Sequence, residues 1–276
     1  MNQDLSGVSI VLMGATDGIG RLAVEELGRR GAHVFAHGRS ADKVERSVGE
    51  LRKAGIRAEG LLADLSSLAQ TKRLAEEIEK RVPNLDVLVN NAGVGFGHDR
   101  TQRETSEDGF ELRLAVNYLA PYLLTTDLLR AGIPRRAIVN VASIGQEPLD
   151  FDDLMTERGY SGIVAYRRSK LALVMSSFDL AAAHPDRVVT VLHPGTLLDT
   201  NMVRGIGIEP HGPASIGRDA IVSAVERALS GEKSGQYYDV QAPARANPAA
   251  YDASARQRLA ARSEELVAPF RAPAGA

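Results

Sequence analysis

Two residues one helical turn apart, Tyr166 and Lys170, have side chains that could together move a proton. On an α-helix, positions i and i+4 lie on one face, so the ammonium of Lys170 would lie near the phenol of Tyr166. A nearby cation would lower the pKa of this phenol from its ordinary value of about 10 and make it a usable general acid and base. Because such a pair also occurs by chance on solvated helix faces, it needs support from elsewhere in the chain.

A glycine-rich pattern near the start of the chain gives that support. Gly14, Gly18 and Gly20 follow an apolar, strand-like segment and open a helical one. Glycines in such a turn let the backbone approach a pyrophosphate, and the helix N-terminus offers free N–H groups. The same spacing is common in ordinary turns, but its strand–turn–helix context predicts a nucleotide site. The other residues of the turn that we assign to this site are Thr16, Asp17 and Ile19.

The end of the second predicted strand distinguishes two dinucleotides. Folds that bind NAD usually place an acid there for the ribose hydroxyls, whereas an arginine accommodates the 2′-phosphate of NADP. The chain has Arg39 and no acid in this stretch. We therefore expect NADP(H) to be preferred over NAD(H). Two considerations count against a preference for NADP(H). Arg39 could be only the solvated start of a helix, and Asp17 adds negative charge nearby.

Composition excludes several other classes of protein. The 276 residues are 44% hydrophobic and carry a net charge of -2, which gives no basic excess for nucleic acid. The absence of cysteine excludes disulfides and thiolate metal sites and fits a reducing compartment. His33 and His37 are better explained as strand residues without an acidic partner than as a metal pair, so we expect no metal. No leader pattern and no apolar run of about 20 residues is visible, so we expect a cytoplasmic protein without a membrane anchor.

Short β-rich runs alternate with amphipathic helical segments, which is typical of βαβ units and a parallel sheet. We expect one domain over residues 1–276, an α/β doubly wound sandwich of Rossmann type with a mainly parallel sheet of about seven strands. The predicted strands are 8–13, 33–37, 57–62, 87–90, 137–141, 188–193 and 236–240. The predicted helices are 18–30, 41–54, 67–82, 106–132, 160–184, 214–230 and, in a C-terminal tail over 242–276, 251–267.

Taken together, the motifs resemble the classical short-chain dehydrogenase/reductase family over nearly the whole chain. The residues that carry this resemblance are Gly14-x-x-x-Gly18-x-Gly20, Asp64-Leu65, Asn90-Asn91-Ala92-Gly93, Asn117, Ser143, Tyr166-x-x-x-Lys170 and Pro194-Gly195. The stretches 151–154, 160–162, 169–172 and 234–238 are similar to the retinol-dehydrogenase-like branch. Two positions depart from the family pattern. Met13 replaces a threonine before the first glycine, and Thr200 stands one residue later than usual, with Asp199 in its place.

The resemblance implies a role for each matching residue. Tyr166 would be the acid/base, Ser143 would bind the substrate oxygen, Lys170 would lower the pKa of Tyr166 and bind the nicotinamide ribose, and Asn117 would hold a water linking Lys170 to solvent. The residues implied to line the cofactor are Asp64 and Leu65 near the adenine, Asn91, Ala92 and Gly93 after the fourth strand, Pro194 and Gly195 near the nicotinamide, and Thr200 at its carboxamide.

The implied activity is hydride transfer between NADPH and a lipophilic ketone or aldehyde, or the reverse reaction with an alcohol. Loops 94–105, 144–159 and 197–217 would determine specificity, the last as a lid. The resemblance also implies a homodimer or homotetramer that pairs through the predicted helices 106–132 and 160–184.

One alternative is a non-catalytic NADP sensor, against which the four catalytic residue types argue. Another is an epimerase or dehydratase, which typically needs a larger C-terminal domain than this chain has.

Overall fold

The computed structural model describes residues 3–271, so residues 1–2 and the end of the predicted tail, 272–276, lie outside it. The strands are β1 (Ser9–Met13), β2 (His33–Gly38), β3 (Ala58–Leu62), β4 (Val87–Asn90), β5 (Ala137–Val141), β6 (Val188–His193), β7 (Gln236–Asp239) and β8 (Ala242–Ala244). The helices are α1 (Gly18–Arg29), α2 (Ala41–Lys53), α3 (Leu68–Arg81), α4 (Leu112–Leu114), α5 (Ala120–Arg130), α6 (Gly162–Ala183), α7 (Asn201–Arg204), α8 (Ser215–Leu229) and α9 (Ala253–Arg271). A π-helical turn, Ala115–Leu119, joins α4 to α5, and a 3₁₀-helix, Pro248–Tyr251, precedes α9.

None of the helices within residues 3–271 combines the length and apolar content needed to cross a bilayer.

All eight strands belong to one sheet in the order β3-β2-β1-β4-β5-β6-β7-β8. Every neighbouring pair is parallel except β7 and β8. The strand order reverses between β1 and β4, where the register pairs Met13 with Asn90. A crevice at this switch point is where doubly wound sheets bind ligands. The predicted fold is therefore confirmed, with one strand more than expected.

The two faces of the sheet carry separate hydrophobic clusters. Alternate residues of β1 belong to different clusters, Val11 and Met13 to one and Ile10 and Leu12 to the other. Because successive strand residues point to opposite faces, both faces are covered by helices. This double burial explains why the strands are almost continuously apolar in the sequence.

The predicted helix over 106–132 is wrong at its start. Gly109 has a φ of 82°, and the backbone N–H of Leu112 donates to the carbonyl of Glu104 at 3.0 Å. Residues 106–111 therefore form a turn, closed by an antiparallel bridge between Thr105 and Glu111. The helix begins only at Leu112, and its π-turn widens the backbone just where the predicted catalytic asparagine lies.

Helix α9 lies on the two long helices to which we assigned subunit pairing. The hydroxyl of Tyr118, in the π-turn before α5, lies 2.6 Å from Oγ of Ser263 on α9. The Nε of Arg256 on α9 donates to Asp179 on α6 at 2.7 Å. The chain's own C-terminal helix thus contacts both of the segments expected to bind a second copy. The oligomeric state stays a prediction.

Candidate active site

The glycine turn between β1 and α1 packs directly on the loop after β4. Gly14 and Gly18 have φ values of 72° and 52°, in the left-handed region that favours glycine. A Cβ at Gly14 would lie 2.8 Å from the Cα of Ala92. The Nδ2 of Asn91 donates to the carbonyls of Met13 and Gly14 at 3.1 and 3.0 Å. The first glycine of the turn therefore packs closely on residues that we assigned to the same cofactor, and a larger residue there would clash with them.

The start of α1 is capped by Asp17, which also holds the predicted lid. Asp17 accepts a hydrogen bond from the N–H of Gly18 at 2.7 Å. Its two carboxylate oxygens also accept from Nδ2 of Asn201 at 3.0 and 2.8 Å. Thr200, which precedes α7, has its methyl carbon 3.3 Å from where a Cβ of Gly18 would lie. The lid helix thus lies over the glycine turn, and Thr200 lies at that turn; its contact with a carboxamide stays a prediction.

A polar cavity of about 160 Å³ adjoins the glycine turn. It is lined by Thr16, Asp17, Arg21, Lys43, Arg46, Ser47, Glu50 and Asn201. Arg21 is neutralised by Glu25 and Glu50, at 2.9 and 3.0 Å. Within residues 3–271, no acid lies in ion-pair range of Lys43 or Arg46, nor of the exposed Arg39 at the end of β2. Cationic groups are therefore available for an anion on this side of the turn.

The carboxamide of Asn117 ties three segments of the site together. Its Oδ1 accepts from the N–H of Val94 at 2.8 Å, and its Nδ2 donates to the Val94 carbonyl and to Oγ of Ser169 at 3.1 and 3.0 Å. A Cβ at Gly93 would lie 3.1 Å from Oδ1 of Asn117 and 3.5 Å from Nζ of Lys170. Asn117 therefore fixes the loop after β4 against the catalytic helix α6, and the water-holding role stays a prediction.

Lys170 is buried beside Tyr166, but its ammonium points toward the sheet. The Nζ atom donates to the carbonyl of Val141, at the end of β5, at 2.9 Å, and lies 5.8 Å from the centre of the Tyr166 ring. Burial in an apolar environment lowers the pKa of Lys170 to about 8. Lys170 can therefore give up a proton far more readily than an exposed lysine.

The predicted lowering of the Tyr166 pKa is not what the structure shows. Burial raises the pKa of the Tyr166 phenol, and a hydrogen bond with Ser143 opposes this without reversing it. Tyr166 keeps a partly exposed surface, so solvent can still reach the side chain. The reason for the difference is that desolvation outweighs the lysine, whose ammonium bonds to a main-chain carbonyl instead. At neutral pH the phenol is protonated.

Ser143 lies just after β5, where two contacts fix it. Its Oγ accepts from the N–H of Gly145 at 3.0 Å, and its carbonyl accepts from the hydroxyl of Tyr237 on β7 at 3.1 Å. The Ser143 hydroxyl also acts to lower the pKa of Tyr166, so the two groups are near enough to influence each other. Sequence reasoning assigned no role to Tyr237, within the stretch 234–238, or to Asn201, within the predicted lid, because both act through contacts distant in sequence.

The remaining predicted cofactor residues surround the same edge of the sheet. Gly195, after Pro194 and β6, has a φ of 122°, and a Cβ there would lie 3.3 Å from Ile216 of the predicted lid. Asp64, after β3, accepts from the N–H of Ser66 at 2.9 Å. Leu65 is buried in the core, so only its backbone is available to a ligand.

Large apolar side chains are exposed around the cleft. Ile144 directly follows Ser143, and Met202 and Ile216 lie in the predicted lid; all three are exposed. A Cβ at Gly95, in the loop after β4, would lie 3.2 Å from Cγ of Met202. Exposed apolar groups gathered at a cleft indicate a site for an apolar ligand. In residues 3–271 there is no group of three or more side chains arranged to hold a metal ion.

Comparisons with known proteins agree with this geometry. The model of the short chain dehydrogenase family matches residues 9–210. Human retinol dehydrogenase 13 is 34% identical over 296 residues, covering 95% of this chain and 85% of the relative. A proposed daunorubicin C-13 ketoreductase, DnrU of Streptomyces sp. (strain C5), is 36% identical over 195 residues, covering 69% and 66%. The solved structure of landomycin C-6 ketoreductase LanV, with bound NADP and rabelomycin, has a TM-score of 0.64 at 26% identity, covering 87% of this chain and 97% of that one. The chain therefore belongs to the short-chain dehydrogenase/reductase family, on its retinol-dehydrogenase-like branch, and is an oxidoreductase.

Proposed function

We propose that the protein is an NADP-dependent carbonyl reductase, or in reverse an alcohol dehydrogenase, that acts on a lipophilic ketone or aldehyde with Tyr166 as general acid/base. One observation carries this proposal. Asn117, Ser143, Tyr166 and Lys170 lie on three segments that contact one another. Asn117 bonds to Ser169 on α6, which carries Tyr166 and Lys170, and Lys170 bonds to the carbonyl of Val141, two residues before Ser143. A serine hydroxyl and a protonated phenol at one point are suited to binding a carbonyl oxygen.

The residues of the glycine turn fit a dinucleotide. The glycines keep side chains out of the turn before the N-terminus of α1, which is where folds of this type bind a pyrophosphate. When bound, the nicotinamide supplies the hydride that is added to the carbonyl carbon. Gly14 and Gly18 would lie against the phosphates, while Lys170 and Asn117 would face the ribose of the reacting end.

Proton movement in the reductive direction begins at the phenol. The hydroxyls of Ser143 and Tyr166 donate to the carbonyl oxygen, and as that oxygen becomes negative the phenolic proton passes to it, which leaves an alcohol and a phenolate. The raised pKa of Tyr166 keeps the proton in place until it is needed. For Lys170, with a pKa of about 8, to stabilise the phenolate and restore its proton, its Nζ would have to turn from the Val141 carbonyl toward the phenol.

A preference for NADPH is supported by charge. Arg39 is exposed at the end of β2, and Lys43 and Arg46 line the cavity next to the glycine turn. A 2′-phosphate carries negative charge that a plain ribose lacks, so cations without acidic partners favour NADPH. LanV, a ketoreductase of similar fold, was solved with bound NADP.

A lipophilic substrate is supported by the exposed side chains of Ile144, Met202 and Ile216. Their apolar surface would be covered by an apolar substrate.

We further propose that residues 197–217 act as a lid, since Asn201 and Thr200 lie over the glycine turn. A cytoplasmic location and subunit pairing remain predictions.

A panel of carbonyl compounds tests the proposed function. NADPH oxidation would be followed by absorbance with retinoid, steroid and aromatic polyketide carbonyls, each beside a small polar carbonyl such as hydroxyacetone. We expect turnover of the apolar compounds at a kcat/KM at least about tenfold above the polar ones, since burial of one or two methylene groups contributes this much. If NADPH binds tightly and no carbonyl is reduced, the non-catalytic sensor becomes the better explanation.

A further inference from the structure

A buried charged cluster lies beside the catalytic helix and outside the four catalytic residues. The guanidinium of Arg113 is buried; its Nη1 donates to the hydroxyl of Tyr160 at 2.9 Å and to Oε1 of Glu111 at 3.3 Å. The Tyr160 hydroxyl donates to the same Glu111 oxygen at 3.0 Å. Nη2 of Arg113 pairs with Glu104. Buried charges are held in this way only where every partner is in place, so the cluster fixes the segments that supply them.

The cluster fixes the loop after β4 on one side of Phe96, and the start of α6 fixes it on the other. On one side, Nε of Arg113 donates to the carbonyl of Gly95 at 3.1 Å. On the other, the first N–H of α6, from Gly162, donates to the carbonyl of Arg100 at 2.8 Å. Gly162 also lies so close to the carbonyl of Phe96 that a Cβ would overlap it. The backbone around Phe96 is therefore held against α4 and α6.

The ring of Phe96 meets the ring of Tyr166 edge to face. The two centroids are 4.8 Å apart and the planes are inclined at 86°. This is a preferred geometry for aromatic pairs, so Phe96 has a defined position beside the phenol. The ring of Phe96 is only partly buried, which leaves aromatic surface open next to the acid/base.

We propose that Phe96 is a specificity-determining residue that forms an aromatic wall of the substrate site, and that Arg113 is the positioning residue that holds it there. The wall selects carbonyl compounds in which the reacting carbon carries a flat unsaturated group, an aryl ring or a polyene, because such groups pack on an aromatic surface better than saturated ones. This inference rests on the proposed role of Tyr166, since it places the wall beside the reacting oxygen.

Two ketones of the same carbon skeleton separate the wall from general apolar binding. Acetophenone carries a flat ring, and cyclohexyl methyl ketone carries a saturated ring of similar size. Kinetics would be measured with NADPH for the wild type, Phe96→Leu and Phe96→Tyr. We expect Phe96→Leu to raise KM for acetophenone, relative to KM for the cyclohexyl ketone, by about two- to tenfold, as an aromatic pair contributes. Phe96→Tyr keeps the ring and should keep the preference.

Tyr160→Phe tests the positioning role of the Arg113 cluster. It removes only the hydroxyl between Arg113 and Glu111, and we expect it to reduce the preference for acetophenone in the same direction as Phe96→Leu. Tyr122→Phe is the matched control, because its hydroxyl is bonded to Glu264 on α9, away from the cleft. A thermal melt of each variant distinguishes lost folding from lost preference.

Calorimetric binding of the two ketones to the NADP-loaded protein gives a readout that needs no turnover. If the wild type binds the two ketones but reduces neither, the binding ratio still tests the wall, and the carbonyl panel tests the proposed function separately. An aryl-to-cyclohexyl binding ratio that Phe96→Leu leaves unchanged would overturn the inference. If Phe96→Leu changes this ratio and Tyr160→Phe does not, Arg113 is not the residue that positions Phe96.

Discussion

The backbone N–H of Gly14, the first glycine of the turn, donates to Nδ1 of His37 at 3.2 Å. The opposite ring nitrogen of His37 lies 3.1 Å from the carbonyl of Ala63, after β3, so this network assigns the proton to Nε2. His37 thus links the ends of β1, β2 and β3.

Stability should fall in acid because of this histidine. Burial lowers the pKa of His37 to about 4, below its ordinary value of 6.5. Between these values the unfolded chain binds a proton that the folded chain does not, so the free energy of unfolding decreases as pH falls through this window, by at most about 3 kcal/mol. Urea unfolding at about pH 7 and about pH 5 measures this effect.

The matched variant for this prediction is His37→Gln, which cannot titrate. Burial also lowers the pKa of His33 and His193, so wild type alone does not isolate His37. We expect the variant to be less stable at neutral pH but to lose less stability on acidification. An identical loss on acidification in both proteins would show that His37 does not cause it.

The choice of cofactor should depend on Arg39. Arg39→Ala removes the cation at the end of β2, and a hydrogen bond to a charged group contributes about 1.5–3 kcal/mol, so NADPH affinity should fall by about ten- to a hundredfold. NADH affinity should change little. Fluorescence titration of both cofactors measures this, with Lys53→Ala, an exposed cation later in α2, as the control. Equal losses for both cofactors would mean that Arg39 does not bind the 2′-phosphate.

Helix α9 should behave as part of the core rather than as a loose tail. Leu259 is buried between α9 and the body of the protein. Leu259→Ala should lower the free energy of unfolding by about 2–5 kcal/mol, whereas Arg262→Ala, on the exposed side of α9, should change it by less than about 0.5 kcal/mol. Equal effects of the two substitutions would show that α9 is not stably docked. Light scattering on the same samples tests whether the chain pairs at all.

The lid should become more ordered when the site fills. Hydrogen exchange in residues 197–217 should slow on addition of NADPH and a ketone substrate. Asn201→Ala removes the bonds to Asp17 and should speed exchange there before any ligand is added. If exchange rates in this segment change neither with the ligands nor with the substitution, residues 197–217 do not act as a lid.

The fold and the catalytic residue types could be predicted from the sequence for a physical reason. Strands buried on both faces are nearly continuous apolar runs, and the turn chemistry of Gly14 and Gly18 leaves a visible pattern. The short edge strand β8 could not be predicted, because Ala242–Ala244 is exposed and has no apolar pattern. The π-turn and the position of Phe96 depend on packing between distant segments. The direction of the Tyr166 pKa shift depends on burial, which a motif does not contain.

The central claim is that Tyr166 is the acid/base, and Tyr166→Phe tests it most directly. The substitution keeps the ring beside Phe96 and removes only the proton-donating hydroxyl. With the best carbonyl of the panel, kcat should fall by at least about a hundredfold, the usual contribution of a general acid. NADPH affinity, measured by fluorescence, should stay within about threefold of wild type, since the substitution does not alter the glycine turn. A variant that retains most of the wild-type kcat would contradict the account.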